Sequence, residues 1–238
     1  NMFPTFIFTF GLLIDIINLP FDNGANMLGS SKAFNTLKPD LIDNLKINKI
    51  YDIDCKNDFL ANIFGQGFLT HQNILDCKKF PLLIGGDHTT AISSIYSSNN
   101  YCLYNQKKLG VLWFDAHADF NTMQTSPSGN IHGTPVSILC GHTLPSLNFG
   151  TELLPNQFAY YGLRDLDSLE FNRFQEYNML SLNSKKEMKE WMKKFDTIHL
   201  SFDIDCLDPS VIDSVNTPVP NGLTLENTLE LMEIVKKS

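Results

Sequence analysis

The chain has 238 residues, of which 43% are hydrophobic, so it is long enough to form one large domain or two small ones around a buried core. Its formal net charge of −8 argues against a protein that binds nucleic acid through a basic surface. The five cysteines are widely spaced and form no C-x-x-C pair, which is atypical of disulfide frameworks and zinc fingers and favours a reducing compartment, with the cytoplasm as the expected location.

Residues 1–11 are rich in phenylalanine and differ in composition from the rest of the chain. They lack the basic start and the cleavage site of a signal peptide, and Asp15 interrupts the apolar run too early for a membrane span, so we expect no membrane partner. We interpret this extension as an extra strand, a packing arm or a gene-model remnant, with a targeting segment as the remaining alternative. Because the chain starts on Asn1 rather than on methionine, we expect it to be a fragment.

Short apolar runs alternate with helical patterns along the chain. Strands are predicted at 12–18, 47–54, 80–84, 111–114, 157–162 and 196–202, of which 47–54 and 157–162 are short strands and the others are buried. Helices are predicted at 31–47, with Pro39 breaking or restarting the helix, up to Lys79, from Thr89, at 134–140, from Glu170, at 184–194 and at 224–236. This alternation predicts a single α/β domain over 1–238 with a mainly parallel sheet. Since the pattern stops on a helix, we expect a C-terminal strand and tail to be missing.

The predicted strand at 111–114 leads directly into three polar residues, Asp115, His117 and Asp119. Residues two apart on an extended chain point the same way, and ligands of α/β sheets bind at the carboxyl ends of the strands. Two carboxylates and an imidazole that converge need a cation between them, and this set of oxygen and nitrogen ligands suits a divalent ion such as Mn²⁺. A polar loop that only caps the strand is the alternative interpretation of this motif taken alone.

Two further strand ends carry residues of the same kind. His88 follows the third predicted strand, with Asp87 available to orient a ligand, and Asp203 and Asp205 follow the sixth. Four carboxylates and two histidines balance the charge of two divalent ions, which together can activate water. The pattern therefore predicts metal-assisted hydrolysis. The other candidates are interpreted as solvated or structural: Asp52, Asp54, His71 and His199.

Four segments carry a family resemblance: GGDHT at 85–89, WFDAHADFNT at 113–122, SGNIHGTPVS at 128–137 and SFDIDCLDPS at 201–210. In this order and spacing they resemble the ureohydrolases, which are the arginases, the agmatinases and their relatives, over residues 12–236. The resemblance implies a three-layer α/β/α fold with a mainly parallel central sheet. It also implies a cofactor of two Mn²⁺ ions per chain.

The resemblance implies roles for the residues of this centre. His88 and Asp119 would bind one ion, His117 and Asp205 the other, and Asp115 and Asp203 would bridge the two. His132 would be a mobile proton shuttle and Asp119 the partner of the activated water, and both would therefore be catalytic. For His132 alone, a histidine at the entry to a helix is the alternative interpretation.

The stretch from Asn121 to Asn130 most resembles that of arginases. The resemblance implies that the substrate carboxylate is held by Asn121, Ser126, Ser128 and Asn130, and the α-ammonium by Asp167 and, through water, by Glu170. Thr217 would lie near the guanidinium or be an ordinary turn residue. Agmatine has no carboxylate and would leave those donors unpaired. We therefore expect a small-molecule substrate, L-arginine, cleaved to L-ornithine and urea in arginine metabolism.

Two departures limit the transfer of these roles. The family places a guanidinium-binding glutamate after the last helix, and the contacts of its homotrimer or homohexamer draw on the same tail. If the full natural product lacked that tail, we would expect metal binding with poor substrate orientation and weak catalysis. Cys206 stands where the family often has glycine. Two alternatives stay open: an agmatinase or another guanidino- or formimino-hydrolase, and a catalytically silent homologue that binds or regulates.

Overall fold

Strands that pair in parallel form the centre of the computed structural model, which describes residues 13–56 and 58–237. These strands are β1 (Ile14–Leu19), β2 (Ile47–Asp52), β3 (Phe80–Gly85), β4 (Leu109–Phe114), β5 (Phe158–Tyr161), β6 (Leu180–Leu182) and β7 (Thr197–Phe202). Hydrogen bonding orders them as a three-stranded sheet, β2-β1-β3, and a four-stranded sheet, β6-β5-β4-β7. The extension interpreted at 1–11 lies outside the described residues.

Helices connect these strands in the described part of the chain. They are α1 (Ala33–Asn44), α2 (Leu60–Asp76), α3 (Ala91–Tyr104), α4 (Pro135–Leu139), α5 (Ser168–Glu176), α6 (Lys185–Met192) and α7 (Leu225–Lys236). Asp167, Ser184 and Thr224 cap three of them by accepting a hydrogen bond from a backbone N–H of the first turn. None of the helices within the described ranges combines the length and the apolar character needed to cross a membrane.

The central strand β4 sends its side chains alternately into two hydrophobic cores. Val111 and Trp113 pack in one core with side chains of α2 and α3, whereas Leu112 and Phe114 pack in a second core with side chains of α6 and α7. All four side chains are fully buried. Because a strand buried on both faces needs a helical layer on each, the chain folds in three layers, α/β/α, as predicted.

One prediction about an individual element was wrong, and one strand was not predicted. Helix α1 continues through Pro39 from Ala33 to Asn44. Proline removes one amide donor, but the loss of this one hydrogen bond does not end the helix. Helical hydrogen bonding still holds at the C-terminal end, where the Leu45 N–H donates to the Leu41 carbonyl at 2.9 Å. Strand β6 was not predicted, because its three residues are too few to show a period.

All five cysteines are free thiols. Cys102, Cys140 and Cys206 are buried, and burial raises the pKa of each of these thiols. These three thiols therefore serve as small apolar residues. Their raised pKa also makes the buried thiols poor nucleophiles, because the reactive species is the thiolate.

Two buried histidines, His71 on α2 and His199 on β7, lie side by side with ring centroids 6.2 Å apart. His71 Nδ1 lies 2.9 Å from Ser97 Oγ, and His199 Nδ1 lies 2.9 Å from Ser98 Oγ. These contacts confirm that both are satisfied structural residues. Burial lowers the pKa of His71 to about 3 and that of His199 to about 4, so both rings are neutral at neutral pH.

We expect this histidine pair to make the metal-free protein sensitive to acid. The unfolded chain takes up a proton at each histidine near pH 6.5 whereas the folded chain does not, so stability falls as the pH drops below about 6.5, by up to about 1.4 kcal/mol per histidine and pH unit. His199→Asn removes one titrating ring and should lower the slope of unfolding free energy against pH by about one proton. Urea unfolding of the metal-free protein between about pH 6 and 4.5 measures that slope. An unchanged slope would contradict the assignment, and measurements above pH 7 provide the baseline.

Candidate metal centre

The ends of β3, β4 and β7 bring polar side chains to one edge of the sheets. After β3 the chain turns at Gly86, where an added Cβ would lie 2.1 Å from the Phe21 carbonyl oxygen, so glycine is required by the close approach of two backbones. Asp87 donates its N–H to that same oxygen at 2.8 Å. Its carboxylate then caps the short 3₁₀ turn His88–Thr90 by accepting from the Thr89 N–H. This turn delivers His88 to the ends of β4 and β7.

His88 lies among three carboxylates. Its Nδ1 atom is 2.8 Å from Asp115 Oδ2 and 3.3 Å from both Asp119 Oδ2 and Asp203 Oδ2. This nitrogen is buried, and within the described ranges it makes no hydrogen bond of acceptable geometry. Buried polar atoms are rarely left in this state, and an imidazole nitrogen aimed at several carboxylates is the arrangement of a metal ligand.

Two neighbours fix the orientation of the His88 ring. Its Nε2 atom lies 2.9 Å from Ser201 Oγ on β7. The ring stacks on the indole of Trp113, with centroids 4.1 Å apart and planes 18° from parallel. Trp113 also donates its Nε1–H to Asp115 Oδ2 at 3.0 Å. Such contacts behind a ligand set its tautomer and its direction.

A second group of donors forms around His117. Its Nδ1 atom lies 3.3 Å from Asp115 Oδ1 and 3.2 Å from Asp205 Oδ2. Asp115 Oδ1 also accepts the His117 backbone N–H at 2.7 Å. Within each group, His88–Asp115–Asp203 and Asp115–His117–Asp205, the donor atoms lie within 4.8 Å of one another. Because Asp115 belongs to both, two cations held by these groups would be neighbours.

Asp119 and Asp203 differ in whether they belong to a donor group. Asp203 groups with His88 and Asp115, and Asp119 is part of neither group although it lies 3.3 Å from His88. Asp119 adopts a left-handed backbone with φ of 49°, which aspartate tolerates better than most residues. Burial and the neighbouring Asp115 charge raise the pKa of Asp119 well above its ordinary value.

The charges of the centre attract positive charge. Burial alone would lower the pKa of His117, but hydrogen bonds with Asp115 and Asp205 raise it to about 11. Burial would raise the pKa of Asp115, but the neighbouring His117 and His88 rings hold it below its ordinary value. Four carboxylates with two imidazole nitrogens, one of them without a hydrogen bond, fit two divalent cations, and the mixed oxygen and nitrogen set suits Mn²⁺.

His132 lies on the 3₁₀ turn Ile131–Gly133 beside this centre. Its backbone N–H donates to the Gly24 carbonyl at 3.1 Å, and the Gly24 N–H donates to Asp87 Oδ2 at 2.8 Å. Burial lowers the pKa of the His132 ring, while the Asp87 charge opposes this shift. The ring is therefore neutral at neutral pH and can accept a proton.

Three predicted substrate residues, Asn121, Asp167 and Glu170, are joined by hydrogen bonds. Asn121 Nδ2 donates to Asp167 Oδ2 at 2.7 Å, and Asp167 Oδ1 accepts the Glu170 N–H at the start of α5. Glu170 Oε1 accepts the Phe120 N–H at 2.8 Å, and burial raises the pKa of Glu170 to about 7. Glu170 thus holds the backbone next to Asp119, a role that the spacing had not indicated.

The other predicted carboxylate donors lie on a loop at the rim. Ser126 Oγ accepts the Gly129 N–H at 3.1 Å, and Ser128 Oγ accepts the Asn130 N–H at 3.2 Å. The two hydroxyl oxygens lie 3.4 Å apart, so one hydroxyl can donate to the other while the hydrogen of the second remains available to an anion. Asn130 and Gly24 line an open cleft of about 390 Å³. Thr217 lies apart from this loop, where Oγ1 donates to Asp205 Oδ2 at 3.2 Å.

Two residues that support the site, Arg164 and Arg173, were not predicted from the sequence; they are the two arginines of a chain whose other basic side chains are lysines and histidines. Arg164 donates to backbone carbonyls around Asp205. Arg173 donates Nε–H to the Phe120 carbonyl at 3.1 Å and lies over the Phe120 ring. Where several fixed acceptors must be joined, a planar group with five donors is needed, and lysine cannot replace it. The rarity of arginine in a chain that otherwise uses lysine was therefore the signal available in the sequence.

Comparison with known proteins points to one family. The model of the Arginase family matches residues 23–238. An arginase of Staphylococcus aureus (strain MRSA252) is 31% identical over an alignment of 264 residues, covering 94% of this chain and 85% of the relative. An arginase of Bacillus subtilis (strain 168) is 34% identical over 177 residues, covering 68% of this chain and 58% of the relative, so that match spans less than two thirds of its length.

Solved structures share the fold. The crystal structure of arginase from Bacillus subtilis superposes with a TM-score of 0.82 at 29% identity, covering 93% of this chain and 85% of that one. The arginase of Entamoeba histolytica in complex with L-ornithine gives 0.82 at 27% identity over 94% and 86%. Formimidoylglutamase of Bacillus subtilis, at 20% identity and a TM-score of 0.74 over 94% and 74%, is similar in fold alone.

Proposed function

The chain belongs to the arginase family, and from that premise we propose that it is a binuclear manganese enzyme that hydrolyses L-arginine to L-ornithine and urea. The observation that carries the proposal is the pair of donor groups that share Asp115, with His88 Nδ1 buried beside three carboxylates and without a hydrogen bond among the described residues. The L-ornithine bound by the Entamoeba histolytica arginase supports an amino-acid substrate for this fold.

The six ligands would hold the ions in two overlapping sets. By the family resemblance one set would contain His88 and Asp119 and the other His117 and Asp205, and Asp115 and Asp203 would serve both. When bound, the two ions supply charge neutralisation and an activated water. The side chains behind the ligands, above all Trp113 and Ser201, keep the His88 ring pointed at the centre.

Proton movement falls to Asp119 and His132. Water oxygen adds to the guanidinium carbon, and the bond from that carbon to the side-chain nitrogen then breaks, so that nitrogen needs a proton to leave as the amine of ornithine. Asp119, the carboxylate that would face the activated water, can take the proton that this water releases. His132, neutral at neutral pH, can take up a proton and deliver it to the leaving nitrogen.

Orientation of the amino-acid end follows from donors and acceptors at the rim. Ser126, Ser128 and Asn130 would donate hydrogen bonds to the substrate carboxylate, together with Asn121, whose amide donates to Asp167 in this structure. Asp167 can accept hydrogen bonds from the α-ammonium, and Glu170 acts through water. Thr217, bonded to Asp205, would lie near the guanidinium.

Urea release with L-arginine and with agmatine, measured side by side, tests the proposal. We expect kcat/KM to be roughly 100-fold higher for L-arginine, because agmatine leaves the carboxylate donors unpaired. Ser128→Ala should lower this preference by lowering kcat/KM for L-arginine and not for agmatine. A preference for agmatine would overturn the substrate assignment, and binding of two ions without release of urea from either compound would overturn the assignment as an enzyme.

We also propose that the protein assembles as a homotrimer or homohexamer, which rests on the family resemblance. A cytoplasmic location is proposed from the spacing of the cysteines. Light scattering of the manganese-loaded protein measures the assembly directly. A monomer under conditions that support activity would overturn it.

A further inference from the structure

Arg164, which follows β5, places its guanidinium against backbone carbonyl oxygens from three segments of the chain. The acceptors are Gly162, then Asp205, Cys206 and Leu207, and then Val219 and Pro220. The shortest contacts run from Nη2 to Val219 O at 2.7 Å and to Asp205 O at 2.8 Å. One side chain thus joins the end of β5, the ligand turn after β7 and the turn that precedes α7.

The backbone of Arg164 also contacts the segment that carries Asp115 and His117, on the other side of the donor group Asp115–His117–Asp205. Its N–H donates at 2.9 Å to the carbonyl of Ala116, the residue between Asp115 and His117. The Ala116 N–H in turn donates to Asp205 Oδ1 at 3.1 Å. Arg164 therefore connects the backbones that carry all three members of the group Asp115–His117–Asp205.

The turn held at Val219 also acts on Asp205. It carries Thr217, whose Oγ1 donates to Asp205 Oδ2 at 3.2 Å. The oxygens of the Asp205 carboxylate are thus directed by Ala116 and Thr217, and its carbonyl is fixed by Arg164. In the donor group around His88, the shared Asp115 is the member whose backbone is joined to Arg164 in this way among the described residues, whereas His88 itself is supported by Ser201 and Trp113.

Only arginine can make this set of contacts. Its five N–H donors lie in one plane, whereas the lysine ammonium is a compact group that cannot reach three separated segments at once. Without the guanidinium, carbonyl oxygens that converge there would face one another next to a site that already holds four carboxylates.

We infer that Arg164 is a positioning residue for one of the two cation sites, the one formed by Asp115, His117 and Asp205. The inference rests on the proposed binuclear centre. Loss of the guanidinium should loosen Asp205 and Thr217 together. It should therefore weaken the binding of the ion at Asp115, His117 and Asp205 while sparing the ion at His88.

Binding of Mn²⁺ alone to the full chain tests this assignment. Isothermal titration with MnCl₂ should show two ions on the unsubstituted protein. In Arg164→Lys one of the two ions should lose about 10- to 100-fold in affinity, as for other residues behind metal ligands, while the other ion changes by less than about threefold. Electron paramagnetic resonance should then show a mononuclear Mn²⁺ signal in place of a coupled pair.

The matched control is Arg173→Lys. It removes the other guanidinium, which supports Phe120 rather than Asp205, and should lower thermal stability while leaving two ions bound. Equal retention of both ions in Arg164→Lys would overturn the positioning role and leave the proposed function intact. Fewer than two ions on the unsubstituted protein would overturn the binuclear centre and this inference with it. If neither Arg164→Lys nor Arg164→Gln folds, the residue serves the fold as a whole and the inference is overturned.

Discussion

Replacing Asp115 by Asn should strip the protein of most of its bound metal and lower urea release from L-arginine by at least about 10³-fold, equivalent to about 4 kcal/mol of transition-state stabilisation. Asp115 is the one carboxylate shared by the two donor groups of the described residues. Its Oδ2 lies 2.8 Å from His88 Nδ1 and its Oδ1 lies 3.3 Å from His117 Nδ1. An amide offers one oxygen and one NH₂ group, so at least one site would lose its anionic ligand and face a donor instead.

Metal analysis and a urea assay on the same preparation measure this effect. Asp54→Asn is the matched control, because Asp54 also follows a strand but is exposed and bonds to the Lys56 N–H, which an asparagine oxygen can still accept. The control should keep both metal and activity. Retention of two ions and of substantial activity in Asp115→Asn would show that Asp115 does not link the sites.

Adding Mn²⁺ to the metal-free protein should raise its thermal midpoint by roughly 10–20 °C. An ion that binds only the folded state at about 100 times its Kd contributes about 2.7 kcal/mol, and two such ions contribute about twice that. In a domain of this size each kcal/mol corresponds to about 2–4 °C. The structural reason is the crowding of carboxylates around His88 and His117, which two cations relieve.

Scanning calorimetry across a series of Mn²⁺ concentrations measures the shift. Mg²⁺ is the control cation, since it prefers an octahedron of oxygen ligands and should give a smaller shift with this set of imidazoles and carboxylates. Asp115→Asn should remove most of the Mn²⁺ response. A midpoint that moves by less than about 3 °C at saturating Mn²⁺ would contradict a two-ion site.

The fold could be predicted from the sequence where local and tertiary signals agree. The apolar run at Val111 to Phe114 is a strand buried on both faces, and its period of two separates Trp113 from Phe114 into opposite cores. Strand β6 could not be predicted, since three residues pair with β5 only because the layers around them are already in place. Likewise, proline ordinarily interrupts a helix, so Pro39 predicted a break, but α1 continues through this residue.

The meeting of the predicted ligands at one edge could be foreseen, because parallel strands end on the same side of a sheet. How the ligands divide between two groups could not, since that depends on side-chain rotamers and on the left-handed backbone of Asp119. The hydrogen bond between Asn121 and Asp167 and the network around Arg164 join residues more than 40 positions apart, and spacing carries no information on such contacts.

The stacking of Trp113 on His88 gives the molecule an internal optical probe. The chain has two tryptophans, and the second, Trp191, packs in the opposite core. A paramagnetic ion bound at His88 would quench the emission of the indole in contact with its ligand and affect the distant one much less. Occupancy of that site can therefore be followed by intrinsic fluorescence, and Trp191→Phe would leave a signal that comes from the metal centre alone.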